Sequence, residues 1–242
     1  MKAVHVGTSG WNYDHWSGTF YPEGLSREEW FDFYRSRFDT VEINNTFYNL
    51  PSPETVAQWK DAASEGFRYT IKASRYITHM KKLKDPEAST ERFFERMEPL
   101  GEKVDIVLFQ LPPRWKRNAE RLESFLRTLP EEWRYAFEFR DESWFHEETY
   151  DLLRAHNAAF CLYELAGRRS PEVVTGDAVY IRLHGPEGAY QGSYSEEELH
   201  RWARKCDSWA RDGLEVWVYF DNDDRGFAPA NARTLEEVLR YT

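Results

Sequence analysis

The sequence predicts an α/β protein, a single (β/α)8 barrel of the TIM type. Its length of 242 residues suits one such barrel, for which about 250 residues are typical. Short apolar segments alternate with amphipathic helical segments, which is the pattern of βαβ units around a parallel sheet. Eight such apolar segments occur, and no repeat, linker or low-complexity tract separates them. The simplest organisation is one domain over residues 1–242.

The strands are the apolar runs rich in β-branched and aromatic residues. They are predicted at 3–8, 40–44, 67–74, 104–111, 135–140, 159–163, 178–184 and 215–221. Capping boxes, Ser26 with Glu29 and Ser195 with Glu198, predict the starts of two helices. Ser52 before Pro53 predicts a third start. Further helices are predicted at 90–97, 119–128, 147–156 and 234–241, whereas 165–177 is only a weak helix candidate.

Three connections that follow strands are long, namely 9–25, 75–88 and 185–194, after strands 1, 3 and 7. In a barrel, these loops lie at the carboxyl ends of the strands, where active sites are built. Aromatic residues crowd the same loops and strand ends. They are Trp11, Tyr13, Trp16, Phe47, Tyr48, Trp144, Tyr190 and Tyr194. Some of these rings are expected to stack on a ligand and others to pack beneath the loops.

Polar residues alternate with apolar residues within several strands. In the second strand, Thr40, Glu42 and Asn44 share one face, and Tyr180, Arg182 and His184 do so in the seventh. Because the face toward the helices must be apolar, the polar face should point into the barrel. The side chains expected there are Glu42, Lys72, Gln110, Glu138, Arg140, Arg182 and His184, with Asp221 or Asn222 according to the register of strand 8.

Two interpretations fit these charges: a structural ion network or a polar binding site. Burying an ion costs several kcal/mol, and apolar replacements often stabilise a fold as well. A binding site is therefore favoured. The cations also continue from the third strand into its loop, through Arg75 and His79, which indicates an anionic ligand on a protein whose net charge is −10.

Seven segments carry a family resemblance: GTSGWNYDHWSGTFYP (7–22), VEINNTFYNLP (41–51), FRYTIKASRYITHMKKL (67–83), LFQLPP (108–113), EFRDESW (138–144), IRLHG (181–185) and VYFDNDDRGFAPANA (218–232). They are similar to the signature of domain of unknown function 72, the YecE-like family. The resemblance implies a TIM barrel and no established activity. The chain has Asp141 where the family often carries histidine, and Asp221 where it often carries asparagine.

The candidate catalytic residues are Glu42, Glu138 and His184. A carboxylate pair can act as general acid and base, or cleave a glycoside, although neighbouring cations would keep both ionised. The candidate ligand-binding residues are Trp11, Asn44, Tyr48, Lys72, Arg75, His79, Gln110, Arg140, Arg182, Asp221 and Asn222.

No metal site and no cofactor are predicted. The sequence has no HExxH, no paired cysteine motif, no GxGxxG and no Walker motif. A divalent metal has no sequence support beyond scattered His and carboxylate residues. Cys161 and Cys206 are expected to be buried free thiols. Without a signal peptide or an apolar run of membrane-spanning length, a cytoplasmic protein is expected, and its oligomeric state is left open.

Three functions stay open. The first is an enzyme, a hydrolase or lyase, that acts on a polar anionic small molecule such as a sugar phosphate or nucleotide-like compound. The second is nucleic-acid binding or processing, for which abasic-site endonucleases offer an analogy of fold only. The acidic net charge disfavours general nucleic-acid coating. The third is a non-catalytic ligand sensor or scaffold.

Overall fold

The computed structural model describes residues 3–241, so residues 1, 2 and 242 of the predicted domain lie outside the described residues. The strands are β1 (Val4–Thr8), β2 (Thr40–Ile43), β3 (Arg68–Lys72), β4 (Val104–Gln110), β5 (Arg134–Glu138), β6 (Ala159–Phe160), β7 (Leu162–Leu165), β8 (Arg168–Arg169), β9 (Ala178–Leu183) and β10 (Glu215–Phe220). The helices are α1 (Trp30–Arg35), α2 (Asn45–Tyr48), α3 (Pro53–Ala62), α4 (Glu87–Met97), α5 (Ala119–Leu126), α6 (Glu147–Ala155), α7 (Glu196–Arg211) and α8 (Phe227–Leu239). The fold is mixed α/β with parallel sheets.

The strands form two five-stranded sheets, and the chain divides into two compact units. The sheet orders are β1-β10-β9-β7-β8 and β2-β3-β4-β5-β6. The first unit runs to Glu42 and resumes over Leu162–Glu172 and from Ala178 onward, and the second unit comprises Ile43–Cys161 and Val173–Asp177. Closure into a (β/α)8 barrel and a single domain stay predictions.

In the first unit, β1 lies parallel to β10, which lies parallel to β9, and Val6, Val218 and Ile181 stand in register across the three strands. All three side chains are fully buried. Helices α7 and α8 cover this sheet with buried apolar residues such as Leu199 and Leu235. The amphipathic pattern of α7 follows its capping box at Ser195, which forms as the sequence predicts.

In the second unit, β3, β4, β5 and β6 are parallel neighbours. Their core contains Ile71, Val107 and Phe137, each without solvent exposure. The polar residues that end these strands are buried as well, so strands in this unit are covered on both faces, as parallel strands usually are.

All eight predicted strands exist, and one of them is divided. The sixth consists of β6 and β7, and the weak helix prediction for 165–177 is wrong. Arg168 and Arg169 instead pair antiparallel with the end of β7. Ala166 and Gly167 form the turn with positive φ values of 50° and 73°, a conformation that a helix does not contain.

Helix α8 begins seven residues before the predicted start, because Pro229 is tolerated in a first turn.

The described residues contain no helix that combines the length and apolar character needed to cross a bilayer.

Gly7 on β1 lies against the backbone of Thr40 on β2, both in the first unit. A Cβ at residue 7 would collide with the Thr40 carbonyl oxygen, which is backbone and cannot move aside. Beyond these residues, Ser9 and Glu42 form a parallel bridge, and the Gly10 amide donates to the Glu42 carbonyl at 2.8 Å. The absent side chain therefore allows the approach that brings Ser9 to Glu42.

We expect Gly7→Ala to lower the free energy of unfolding by about 1–3 kcal/mol, the usual cost of overpacking. Urea denaturation measures the change. Gly213→Ala is the control, because residue 213 has open space around it and carries only the strain of a positive φ. If the Gly7 variant is no less stable than the Gly213 variant, the close approach of the two backbones is not a constraint.

Candidate functional site

Glu42 is fully buried in the first unit, at the end of β2, and its carboxylate receives hydrogen bonds from three side chains. The Ser9 hydroxyl donates to Oε1. The Tyr180 hydroxyl donates to Oε2 at 2.7 Å. Arg182 donates from Nε to Oε2 at 2.9 Å and from Nη2 to Oε1 at 2.7 Å, which is the bidentate geometry of a strong ion pair. Both carboxylate oxygens are thus satisfied by donors of the protein.

Arg182 extends the network to Asp221 and His184. Its Nη2 lies 3.1 Å from Asp221 Oδ2, and its Nη1 lies 3.2 Å from His184 Nε2. Because a guanidinium group only donates, His184 Nε2 must accept, and the ring proton must be on Nδ1. That proton points to Asp221 Oδ2 at 2.9 Å. Both ring nitrogens of His184 are therefore engaged within this group of side chains.

This group, Ser9, Glu42, Arg182, His184 and Asp221, is here called the ion network. Glu42, Arg182 and His184 have no solvent exposure, and Asp221 is nearly buried. The described contacts favour a positioning role for Glu42 and His184, since their polar atoms are used within the network. The catalytic roles predicted for Glu42 and His184, and the ligand-binding roles of Arg182 and Asp221, stay predictions.

The loop after β1 lies beside this network. The Tyr13 hydroxyl donates to the Ser9 carbonyl oxygen at 2.7 Å. Burial raises the pKa of Tyr13 well above its ordinary value, and the carboxylates Asp221, Asp223 and Glu42 raise it further. Tyr13 is therefore a permanent hydrogen-bond donor at neutral pH.

Asp223 is a further buried carboxylate in this region. Burial raises its pKa to about 6, against the lowering effect of hydrogen bonds from Trp16 and His15. Its Oδ2 lies 2.9 Å from His15 Nε2. Asp223 was absent from the predicted site, although its position two residues after Asp221 could have suggested it.

A second group of predicted site residues meets in the second unit. Lys72, at the end of β3, places its Nζ 4.4 Å from the centre of the Phe47 ring. His79 stacks its edge against the same ring at 5.0 Å, and its Nδ1 lies 2.9 Å from the Thr78 hydroxyl. The ammonium group therefore rests on an aromatic face, which stabilises a cation.

The pKa of His79 depends on burial and on the charged side chains around it. Burial lowers its pKa to about 4, and Lys72, Arg75 and Arg140 lower it further by repelling a second positive charge, whereas Glu138 raises it. Three cations and one carboxylate thus act on one half-buried ring. Lys72, Arg75, His79, Glu138 and Arg140 are here called the cation cluster, and the structure brings all five of these predicted residues together.

Glu138, at the end of β5, has no solvent exposure and forms an ion pair with the Nε of Arg140 two residues later. Cys161 lies next to it, with Sγ 3.9 Å from Glu138 Oε2. Cys161 and Cys206 are buried free thiols, as predicted.

The other predicted ligand-binding residues differ in exposure. Asn222 is buried, and its amide donates to the Gly192 carbonyl and to Asn231 Oδ1, both at 2.8 Å, so it holds the loop after β9. Gln110 is buried at the end of β4, and Asn44 and Trp11 are half-buried. Tyr48 on α2 is 64% exposed. Their ligand-binding roles also stay predictions.

Many of the aromatic residues expected around the site belong to the core. Trp16, Phe47, Trp144 and Tyr194 are buried. Trp144 donates its Nε1 proton to the Trp115 carbonyl oxygen at 2.7 Å, and Tyr194 accepts from the Gly185 amide at 3.0 Å. These two rings therefore hold loops in place, in line with the expectation that some of the aromatic residues pack beneath the loops.

Two residues that donate to the Glu42 carboxylate, Tyr180 and Ser9, are not among the predicted site residues. Tyr180 shares the strand face of Arg182 and His184, so its parity could have suggested it. Ser9 directly follows β1, but no spacing in the sequence shows that it faces Glu42.

Within residues 3–241, no three His, Cys, Asp or Glu side chains are grouped so that they could hold a metal ion.

We expect Glu42→Gln to lower the free energy of unfolding by about 3 kcal/mol, because it leaves Arg182 buried without its main counterion. Urea denaturation of the purified protein measures the loss. Asp32→Asn is the matched control: Asp32 pairs with Arg35 at 2.8 Å on the surface, and such pairs contribute about 0–1 kcal/mol. If the two substitutions lower the free energy of unfolding equally, the ion network does not contribute more to stability than a surface ion pair.

We also expect the free energy of unfolding to decrease as the pH is lowered, because of His79. Its pKa in the folded state, about 4, lies below its ordinary value of 6.5, so the unfolded chain binds a proton more readily. The contribution of His79 to the free energy of unfolding is complete above about pH 6.5, and it declines as the pH falls toward 4. Urea denaturation between pH 4 and 7 should show a steeper decline for the natural protein than for His79→Gln. Parallel pH profiles would show that the ring is not in a cationic field.

Comparison with known proteins gives a family and no reaction. The family model described as protein of unknown function DUF72 matches residues 5–242. The protein YunF of Bacillus subtilis is 26% identical over 98% of this chain and 94% of its own length, and YecE of Escherichia coli is 27% identical over 99% and 93%. The crystal structure of a DUF72 family protein from Thermotoga maritima is similar with a TM-score of 0.88 and 32% identity, and the match covers 99% of this chain and 100% of that one. The chain belongs to the DUF72 family, as the sequence resemblance indicated.

Proposed function

We propose that this protein binds a small anionic molecule, carrying a phosphate or a carboxylate, at the cation cluster. The observation that carries the proposal is that Lys72 and His79 contact the same Phe47 ring, with Arg75 and Arg140 close enough to act on His79. Burial and the three cations Lys72, Arg75 and Arg140 together hold its pKa near 4. A bound anion would neutralise part of this repulsion, so the cluster gains free energy when an anion enters.

The burial of the cations strengthens the expected attraction. The Lys72 side chain is nearly buried and so is that of Arg140, whereas Arg75 is exposed. Charges that are screened less by water interact more strongly with an entering anion. Glu138 pairs with Arg140, and the charges that act most on His79 are three cations and this one carboxylate.

An enzymatic role would place Glu138 as the group that exchanges a proton with the ligand. In this proposal Lys72 and Arg140 hold the anionic part, and the reaction is a hydrolysis or an elimination that needs no nucleotide cofactor. Glu42 and His184 keep Arg182 and Asp221 in one arrangement within the first unit. The proposal includes the closed (β/α)8 barrel predicted from the sequence, in which the carboxyl ends of all strands share one face.

Nucleic-acid binding and a non-catalytic sensor or scaffold are the other two hypotheses. A phosphate backbone would need a row of cations along a surface. The described contacts give no such row around Lys72, where two of the three cations are nearly buried. A small ligand fits this burial better.

We expect inorganic phosphate to raise the pKa of His79 by about one unit, because a nearby anion favours the protonated ring. Titration of the ring protons by NMR, with and without saturating phosphate, measures the shift. Lys72→Gln should raise the pKa of His79 without ligand and reduce the response to phosphate. Lys116→Gln is the control, since this exposed lysine lies 3.5 Å from Asp141 and its charge is not among the main influences on His79. If phosphate leaves the pKa of His79 unchanged, the cation cluster is not an anion site.

A further inference from the structure

A cleft of about 520 Å³ lies elsewhere in the second unit, between α4 and the segment that follows β3. This volume is in the range of small-molecule sites. Its lining combines apolar residues, hydroxyls and charges: Leu50, Ser74, Tyr76, Ile77, Lys81, Asp85, Ala88, Ser89, Arg92 and Phe93. None of these residues is among the predicted site residues.

The cleft and the cation cluster use different residues of one turn. Residues Tyr76–Met80 form a π-helical turn, a rare geometry that is frequent at functional sites. Arg75 and His79, four residues apart, belong to the cation cluster. Tyr76 and Ile77 line the cleft instead. The two sites are therefore neighbours along the chain with separate walls.

The cleft has an apolar floor and one exposed aromatic wall. Ile77 and Phe93 are buried at its base, and Leu50 is half-buried. The Tyr76 side chain is 47% exposed, which is unusual for a large ring in a lined cleft. An exposed aromatic face beside an apolar floor suits a planar or cyclic group of a ligand.

The charges of the cleft leave a positive surplus. Asp85 has Lys84 as its partner at 3.9 Å. Among the described residues, no carboxylate forms an ion pair with Lys81 or Arg92. The Ser74 hydroxyl accepts from the Tyr76 amide at 3.2 Å, so its own proton is still available for a ligand. Two cations and a hydroxyl match a phosphate monoester, whose charge at neutral pH is about −1.5 to −2.

The loop that closes the cleft has a constrained backbone. Lys82, Leu83 and Asp85 have positive φ values of 50°, 60° and 43°. A residue in this conformation is strained and persists only where its surroundings fix it. Leu83 supplies that constraint, because its side chain is buried and its amide donates to the Ile77 carbonyl at 3.0 Å. Lys81 is thus presented to the cleft by a backbone that is set before a ligand arrives.

We infer that this cleft binds a phosphate monoester attached to a ring system, of which a nucleoside monophosphate is the simplest probe. The ring packs on Tyr76 above Ile77 and Phe93. The phosphate pairs with Lys81 and Arg92 and accepts a hydrogen bond from Ser74. This site is additional to the cation cluster and takes the larger, amphiphilic ligand.

Isothermal titration of the full chain with adenosine monophosphate, adenosine and inorganic phosphate tests the inference. We expect the monophosphate to bind at least tenfold more tightly than either of the other two, because only it uses both the ring wall and the cations. Arg92→Gln, Lys81→Gln and Tyr76→Ala should each weaken it about tenfold. These side chains are exposed or half-exposed, so the variants should keep the melting temperature of the natural protein.

Lys82→Gln is the matched control, because Lys82 is the next cation of the same loop and does not line the cleft. It should change the affinity by less than twofold. If Lys72→Gln weakens the monophosphate and Arg92→Gln does not, the ligand occupies the cation cluster and the cleft assignment is wrong. If the affinity that Arg92→Gln removes is no greater for the monophosphate than for adenosine or phosphate, the inference also fails. The response of His79 to phosphate is independent of Arg92→Gln, so failure here leaves the proposed function intact.

Discussion

The buried ion pair between Glu42 and Arg182 is the interaction on which the first unit depends most. Both side chains lack solvent exposure, so each charge must be compensated by protein groups alone. The compensation comes from residues at or next to four strands: Ser9 after β1, Glu42 on β2, Arg182 on β9 and Asp221 after β10. One pair of charges therefore fixes the relative positions of these strand ends, and the small residue Gly7 permits the approach of the first two.

The alternation within strands predicted much of this site. Polar residues at every second position of a strand share one face, and the apolar residues between them face the covering layer. Glu42, Arg182 and His184 can therefore be grouped from the sequence alone. The alternation could not show which charges pair, since strand parity fixes a face and leaves open the neighbour across the sheet. The saturation of Glu42 by Ser9, Tyr180 and Arg182 is such a long-range result.

The parts of the fold that the sequence did not predict depend on backbone conformation. Helix α2 has only four residues, too few for a helical period to be visible. The turn between β7 and β8 places Ala166 at positive φ, a conformation that alanine adopts only where its surroundings impose it. The same holds for Lys82, Leu83 and Asp85 beside the cleft. Ordinary residues in unusual conformations leave no signature in composition or periodicity.

The ion network and the cation cluster contain the same kinds of residue, but they differ in the ratio of positive to negative side chains. In the network, two carboxylates face one guanidinium and an imidazole whose two nitrogens are both engaged, so its donors and acceptors are used within the protein. In the cluster, one carboxylate faces three cations, and burial together with these cations lowers the pKa of His79. The network therefore has more carboxylates than guanidinium groups, whereas the cluster has more cations than carboxylates. The sign of this excess, more than the presence of charged residues, distinguishes the group that holds strand ends together from the one that attracts an anion.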